Sequence, residues 1–178
     1  MTRLMTGQVA PHPPSDAVES VARSGGLPPL AEPLIVGYGN DLRCDDAAGV
    51  LVARKLAAQW PQARVIVTRQ LTLDLADDLA QLGQVVFVDA YAAQVPSDGL
   101  RIEKIDLDAF GMLPTLGHRV SPAVVVHLAR TLFGTQTEAW VLGVPAFCFA
   151  AGEKLSPQTQ CRIDEAVALI GARAFSAV

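Results

Sequence analysis

The chain has 178 residues, 51% of them apolar, and a formal net charge of −4. That length suits a single domain with a sizeable core, and the scattered basic residues exclude the electrostatic footprint of nucleic-acid or anionic-membrane binding. No apolar run reaches the roughly 20 residues that span a bilayer, and the N-terminal segment lacks the contiguous apolar stretch of a secretory signal.

Residues 1–33 carry Pro11, Pro13, Pro14, Pro28, Pro29 and Pro33 with few large apolar side chains. They read as a mobile extension with one weak helix around 16–23, ahead of a single α/β domain over 34–178. The apolar run 34–38 is a buried strand. It leads through Gly37-Tyr38-Gly39-Asn40 to Asp45-Asp46, where a helix over 46–59 begins. A strand follows at 63–68, a helix at 72–82 stopped by Gly83, and a strand at 84–89. The segment 100–106 alternates only loosely and reads as an edge strand. Ser121-Pro122 opens a helix over 121–133 with an N-cap and a proline in the first turn, and Gly134 closes it. A strand at 138–144 precedes a second Ser-Pro start, Ser156-Pro157, and a helix over 156–174. Apolar strands alternating with amphipathic helices imply a mainly parallel sheet covered on both faces. The expected class is therefore α/β, a three-layer αβα fold with a twisted sheet of about five strands.

Three polar sites fall where a parallel sheet gathers its carboxyl ends, the usual place for ligands in such folds. They are Asp45-Asp46 after the first strand, Asp89 after Val85-Val86-Phe87-Val88, and His118 in the loop Gly117-His118-Arg119. Two carboxylates and an imidazole make an N/O donor set suited to nickel, zinc or a similar divalent ion. Each residue also has an ordinary role. Asp45 would cap the following helix with Asp46 in its first turn, Asp89 would bond the Ala90–Ala92 turn, and His118 would be solvated. His127, in mid-helix, reads as a packing or surface residue. The glycine pair of the first turn lacks the third glycine of a dinucleotide fingerprint, and acidic residues at a helix start repel pyrophosphate. There is no GxSxG elbow. Cys44, Cys148 and Cys161 are odd in number, far apart in sequence and in no CxxC spacing, so they read as reduced thiols of a cytoplasmic protein.

These residues together resemble the [NiFe] hydrogenase maturation proteases, the endopeptidases that finish the hydrogenase large subunit. Gly37 to Asp46 is similar to the family's GxGNxLxxDD opening. Gln70-Leu71-Thr72 with Leu75-Ala76 resembles a QLTPELA segment, Val88-Asp89-Ala90 a central (V/A)DA, and Leu155-Ser156-Pro157 a late LSP helix start. The pieces span most of residues 34–172. Ala47 departs from the glycine that commonly follows the acidic pair, and the N-terminal extension is outside the family core. The resemblance implies an αβα phosphorylase/hydrolase-like fold in which Asp46, Asp89 and His118 serve as both the metal ligands and the catalytic set. For the histidine, alignment on the Ser-Pro pair places Ala123 at the position, whereas alignment on the apolar positions of the helix places His118, which alone supplies a ligand.

The resemblance further implies that the partner is a large-subunit precursor already carrying nickel, that the resting enzyme holds no metal, and that it acts as a monomer. Recognition by shared coordination would let binding report that nickel is loaded. The ion would then polarise the scissile carbonyl or a water, or else Asp45 or Asp89 would act as general base. Phe147 and Phe149 would contribute to the precursor's docking surface. Two other readings stand beside this one: a nucleotide- or phosphate-binding module using the glycine turn, and a non-catalytic assembly chaperone of the same fold.

Overall fold

The computed structural model describes residues 26–107 and 120–175. Five strands form one sheet: β1 (Leu34–Tyr38), β2 (Arg64–Thr68), β3 (Gln84–Ala92), β4 (Arg101–Lys104) and β5 (Glu138–Ala146). Their spatial order is β2-β1-β3-β5-β4. β1, β2, β3 and β5 are parallel, and β4 closes one edge antiparallel to β5. The helices are α1 (Ala48–Gln59), α2 (Leu75–Ala80), α3 (Pro122–Phe133) and α4 (Pro157–Ala174).

The alternation of side chains along each strand divides the core in two. Ile35, Val86, Val88, Leu142 and Val144 pack with Val52 and Leu56 of α1 and with Ile163, Val167 and Ile170 of α4. On the opposite face Leu34, Val36, Val85 and Phe87 meet Leu75 and Leu79 of α2 and Val125, Val126 and Ala129 of α3. This is the three-layer αβα arrangement expected from the sequence. Both Ser-Pro helix starts form as read: Ser121 Oγ accepts from Val124 N–H and Ser156 Oγ from Thr159 N–H, with proline next in the chain. Gly134 ends α3 in the left-handed conformation, φ 68°. No described helix is long and apolar enough to cross a membrane.

Four differences from the sequence reading have physical causes. The helix expected over 46–59 begins as one turn of 3-10 helix, Cys44–Ala47, before α1. Here the N–H groups of Cys44 and Asp45 are taken by Gly152 O and Cys148 O, on a distant loop, so the turn is shaped by tertiary bonds. α2 is shorter than 72–82, since no side chain caps it and the preceding residues turn instead. β3 and β5 run longer than expected because they pair with each other as far as Ala92 and Ala146. Asp89 is thus inside β3, one step past Val88, the last residue paired with β1.

The fourth concerns the segment assigned to a mobile extension. Within its described part, Leu27 is 1% exposed and Leu30 is 7% exposed, and both belong to the core under α4. Leu30 N–H bonds Arg173 O at 2.8 Å and Ala31 N–H bonds Gln84 Oε1 at 2.7 Å. Prolines at 28, 29 and 33 stiffen this strap rather than freeing it, and the packed domain begins before residue 34. The weak helix expected over 16–23 lies outside the described residues. Leu27→Ala should lower unfolding stability by about 2–5 kcal/mol, measured as a fall in the urea midpoint with an unchanged slope; an unaltered midpoint would show that this strap is dispensable.

Candidate active site

The first turn after β1 is built by what it must avoid. Gly39 has φ 142°, and a Cβ there would run into the carbonyl oxygen of Asp46. Gly49, in the first turn of α1, sits against the carbonyl oxygens of Tyr38 and Val88, leaving no space for a side chain. Two chain segments can therefore approach at backbone distance. α1 is seated directly on the carboxyl ends of β1 and β3, and the 3-10 turn carrying Asp45 and Asp46 packs on β3, the strand of Asp89.

Asp45 faces inward and is fully buried. Its Oδ2 accepts Phe147 N–H at 2.9 Å and Cys148 N–H at 2.9 Å, and its Oδ1 accepts Ser156 N–H at 2.7 Å. The Ser156 and Thr159 hydroxyls lie at 2.7 and 2.9 Å from Oδ2. The carboxylate thus gathers the end of β5, the loop after it and the start of α4. Burial pushes the Asp45 carboxyl up, but the bonds from Ser156, Phe147 and Thr159 outweigh it and hold the group below its ordinary range. Asp45 is therefore not the cap of the helix that follows it, which has no side-chain cap bond. Nor is it a general base: its oxygens are occupied, water does not reach it, and its basicity is reduced.

Asp46, the next residue, points the other way and is half-buried. Among the described residues it accepts a hydrogen bond from Asn40 N–H, at 3.2 Å on Oδ2. Asn40 Oδ1 in turn accepts Leu42 N–H at 3.0 Å, bracing the loop. Asp89 is half-buried, with Oδ1 accepting Ala90 N–H at 2.8 Å; the bond is local as expected, but residues 90–92 continue β3 instead of forming a turn. Tyr38 lies beside it at the end of β1. Burial, the Asp89 charge and a hydrogen bond to the Asp89 side chain, in that order, push the Tyr38 phenol far above its ordinary value. It is a donor that stays protonated and fixes the carboxylate.

The loop after β5 is stitched to this turn along its length. Gly152 N–H bonds Leu42 O at 2.9 Å, Cys44 N–H bonds Gly152 O at 2.6 Å, and Asp45 N–H bonds Cys148 O at 3.0 Å. The Arg43 guanidinium holds Phe149 O with Nε at 3.2 Å and Nη2 at 3.1 Å. Cys44 itself is held at φ 46°, a left-handed conformation costing a non-glycine residue about 1–3 kcal/mol. Its buried thiol is hydrogen-bonded to Cys148, which, with burial and the neighbouring charges, raises its pKa. Phe147 and Phe149 are half-buried members of this stitched loop.

His118 and its neighbour Arg119 lie outside the described residues. His127, in α3, has Nε2 at 3.4 Å from Thr131 Oγ1, one turn along the same helix, in keeping with a surface role. Among the described residues no three of His, Cys, Asp and Glu converge as a metal site. The structure thus brings the Asp46 turn and Asp89 to one edge of the sheet and turns Asp45 away from it. The roles of Tyr38, Ser156, Thr159 and Cys148 toward the two aspartates were not found by sequence reasoning, since each acts on a residue remote in the chain.

No protein-family model matches the chain, and no curated protein matches it. Solved structures do. The [NiFe] hydrogenase maturation protease HybD from Thermococcus kodakarensis is 21% identical, with a TM-score of 0.62 over 79% of this chain and 97% of its own. The hydrogenase maturating endopeptidase HybD from E. coli is 20% identical, with a TM-score of 0.60 over 78% and 89%. The protease HycI from Thermococcus kodakarensis is 24% identical, with a TM-score of 0.60 over 77% and 88%. The chain has the fold of these proteins.

Removing the Asp45 acceptor should unfold the stitching. Asp45→Ala leaves several buried donors unpaired and is expected to cost at least about 3 kcal/mol, read from the urea midpoint at neutral pH. A carboxyl held below its unfolded value stabilises the fold above the unfolded pKa of about 3.9, and loses that contribution as pH falls through the folded value. The wild type should therefore lose stability on acidification below about pH 4, while Asp45→Asn, already weaker at neutral pH, shows a flatter acid limb. Parallel acid limbs would show that Asp45 is not ionised in the fold.

Proposed function

We propose that this protein is an endopeptidase that removes the C-terminal extension of a nickel-loaded [NiFe] hydrogenase large-subunit precursor. The observation that carries this reading is the placement of Asp46 and Asp89, both within family-like motifs, on a turn and a strand that pack together in a fold shared with hydrogenase maturation proteases. The donor chemistry fits a divalent ion: both carboxylates are half-buried near the sheet's carboxyl edge, and His118 would complete an N/O set.

In this reading nickel is the precursor's cargo. Asp46 and Asp89 offer oxygen ligands and His118 a nitrogen ligand, so tight docking requires a loaded precursor. A bound divalent ion supplies Lewis-acid polarisation of a carbonyl or a water. The chain's own residues do the positioning. Asn40 N–H orients Asp46, Tyr38 and Ala90 N–H orient Asp89, and Asp45 holds the turn rigid. With Asp45 sequestered, Asp89 is the remaining carboxylate of the two considered as general base. The cytoplasm, where the precursor is made, is the proposed location, with the protein acting as a monomer.

The experiment is cleavage of nickel-loaded and nickel-free precursor by the wild type and by Asp46→Ala, Asp89→Ala and His118→Ala. The wild type should cut only the loaded form, and each variant should lose at least about 100-fold in rate while remaining folded. Equal cleavage of both precursor forms would sink recognition through nickel, and binding of precursor without any cleavage would favour a chaperone. Full activity in His118→Ala would reject that histidine. Tyr38→Phe should stay folded and lose about 10–100-fold in rate, as expected on removing the partner that orients a ligand. Combined with Asp89→Ala it should add nothing further, and additive losses would place Tyr38 in some other role.

A further inference from the structure

Two of the three cysteines, 104 positions apart in the chain, meet beside the proposed site. We propose that Cys44 and Cys148 are a covalent modification site, a dithiol that closes to an intramolecular disulfide by exchange with a small disulfide. The pairing is a property of the backbone, independent of the proteolytic reading. Asp45, next to Cys44, donates its N–H to Cys148 O at 3.0 Å and accepts Cys148 N–H at 2.9 Å on Oδ2. Cys44 N–H is pinned to Gly152 O at 2.6 Å on the same loop. With both main chains fixed this way, the Cys44 and Cys148 side chains are neighbours. Closure to a disulfide of about 2.05 Å then calls on rotation of these two side chains.

Exposure sets the order of events. Cys148 is half-buried and Cys44 is 7% exposed, so a reagent meets Cys148 first. The Cys148 thiolate attacks one sulfur of the small disulfide, whose S–S bond breaks and releases one thiol. Cys44, after giving its proton to solvent, attacks the Cys148 sulfur of the mixed disulfide and releases the second thiol. One disulfide is reduced to two thiols, and the two electrons come from the cysteine pair. The product ties the Asp46 turn covalently to the β5–α4 loop and closes a loop of chain that contains β2, β3, β4 and β5. Cys161, exposed on α4, has no cysteine across from it among the described residues and stops at the mixed disulfide.

The test incubates the full chain with oxidised glutathione, blocks remaining thiols with an alkylating agent and maps the peptides by mass spectrometry. The expected product joins the Cys44 peptide to the Cys148 peptide, carries glutathione on Cys161, and reverts with dithiothreitol. Its thermal midpoint rises by several degrees, because the unfolded chain is now cross-linked across a long loop. In Cys44→Ser, Cys148 should keep its glutathione. Glutathione retained on Cys148 of the wild type while Cys44 is still alkylated, or a cross-link running through Cys161, would overturn the proposal.

Discussion

A buried carboxylate is costly unless its charge is fully bonded, and Asp45 meets that condition with donors from three places in the chain. Phe147 and Cys148 come from the end of β5 and the loop beyond it, Ser156 from the cap of α4, and Thr159 from that helix's first turn. Everything else at the sheet's carboxyl edge is arranged around this node. The Ser156 hydroxyl, which caps α4, also lies on Asp45, so the last helix and the first turn share one hydrogen-bond network. Every donor to Asp45 among the described residues is a neutral N–H or O–H, so the stability of the charge comes from dipoles held in place by the fold.

The two adjacent aspartates illustrate how one turn assigns opposite jobs to identical side chains. In a 3-10 turn successive residues point about 120° apart, so burying Asp45 obliges Asp46 to face outward toward the sheet edge. The small residues that follow, Ala47, Ala48 and Gly49, let the helix settle closely onto β1 and β3, and the turn that carries Asp46 packs on the strand of Asp89. Rigidity of the inner residue is thereby converted into position of the outer one. Tyr38 does the same from the neighbouring strand, with a phenol that holds Asp89 and does not ionise.

Much of this was legible in the sequence. Strand periodicity, the two Ser-Pro starts and the glycine stops report local physics, and they located the five strands and four helices to within a few residues. Asp46 and Asp89 were legible as candidates because they occupy strand-to-helix positions that a parallel sheet collects. The role of Asp45 was misread as a local cap, since capping is a near-neighbour rule and its actual donors lie 102 to 114 residues away. Leu27 and Leu30 were concealed by prolines, whose composition resembles that of a linker although the strap they stiffen is packed. The proximity of Cys44 and Cys148 was invisible for the same reason as the Asp45 donors: a separation of 104 residues carries no spacing signal.

The Asp45 node also has a consequence in time. Thr159 is the most distant of its donors in the chain, and α4 is the last helix among the described residues. Contacts of such long range are entropically expensive until the intervening elements are in place. During synthesis the glycine turn and β1 emerge early, yet the turn cannot acquire its final shape until the start of α4 has left the ribosome and docked. A nascent chain that already has most of its sheet therefore still lacks the finished turn, which takes shape only when α4 docks.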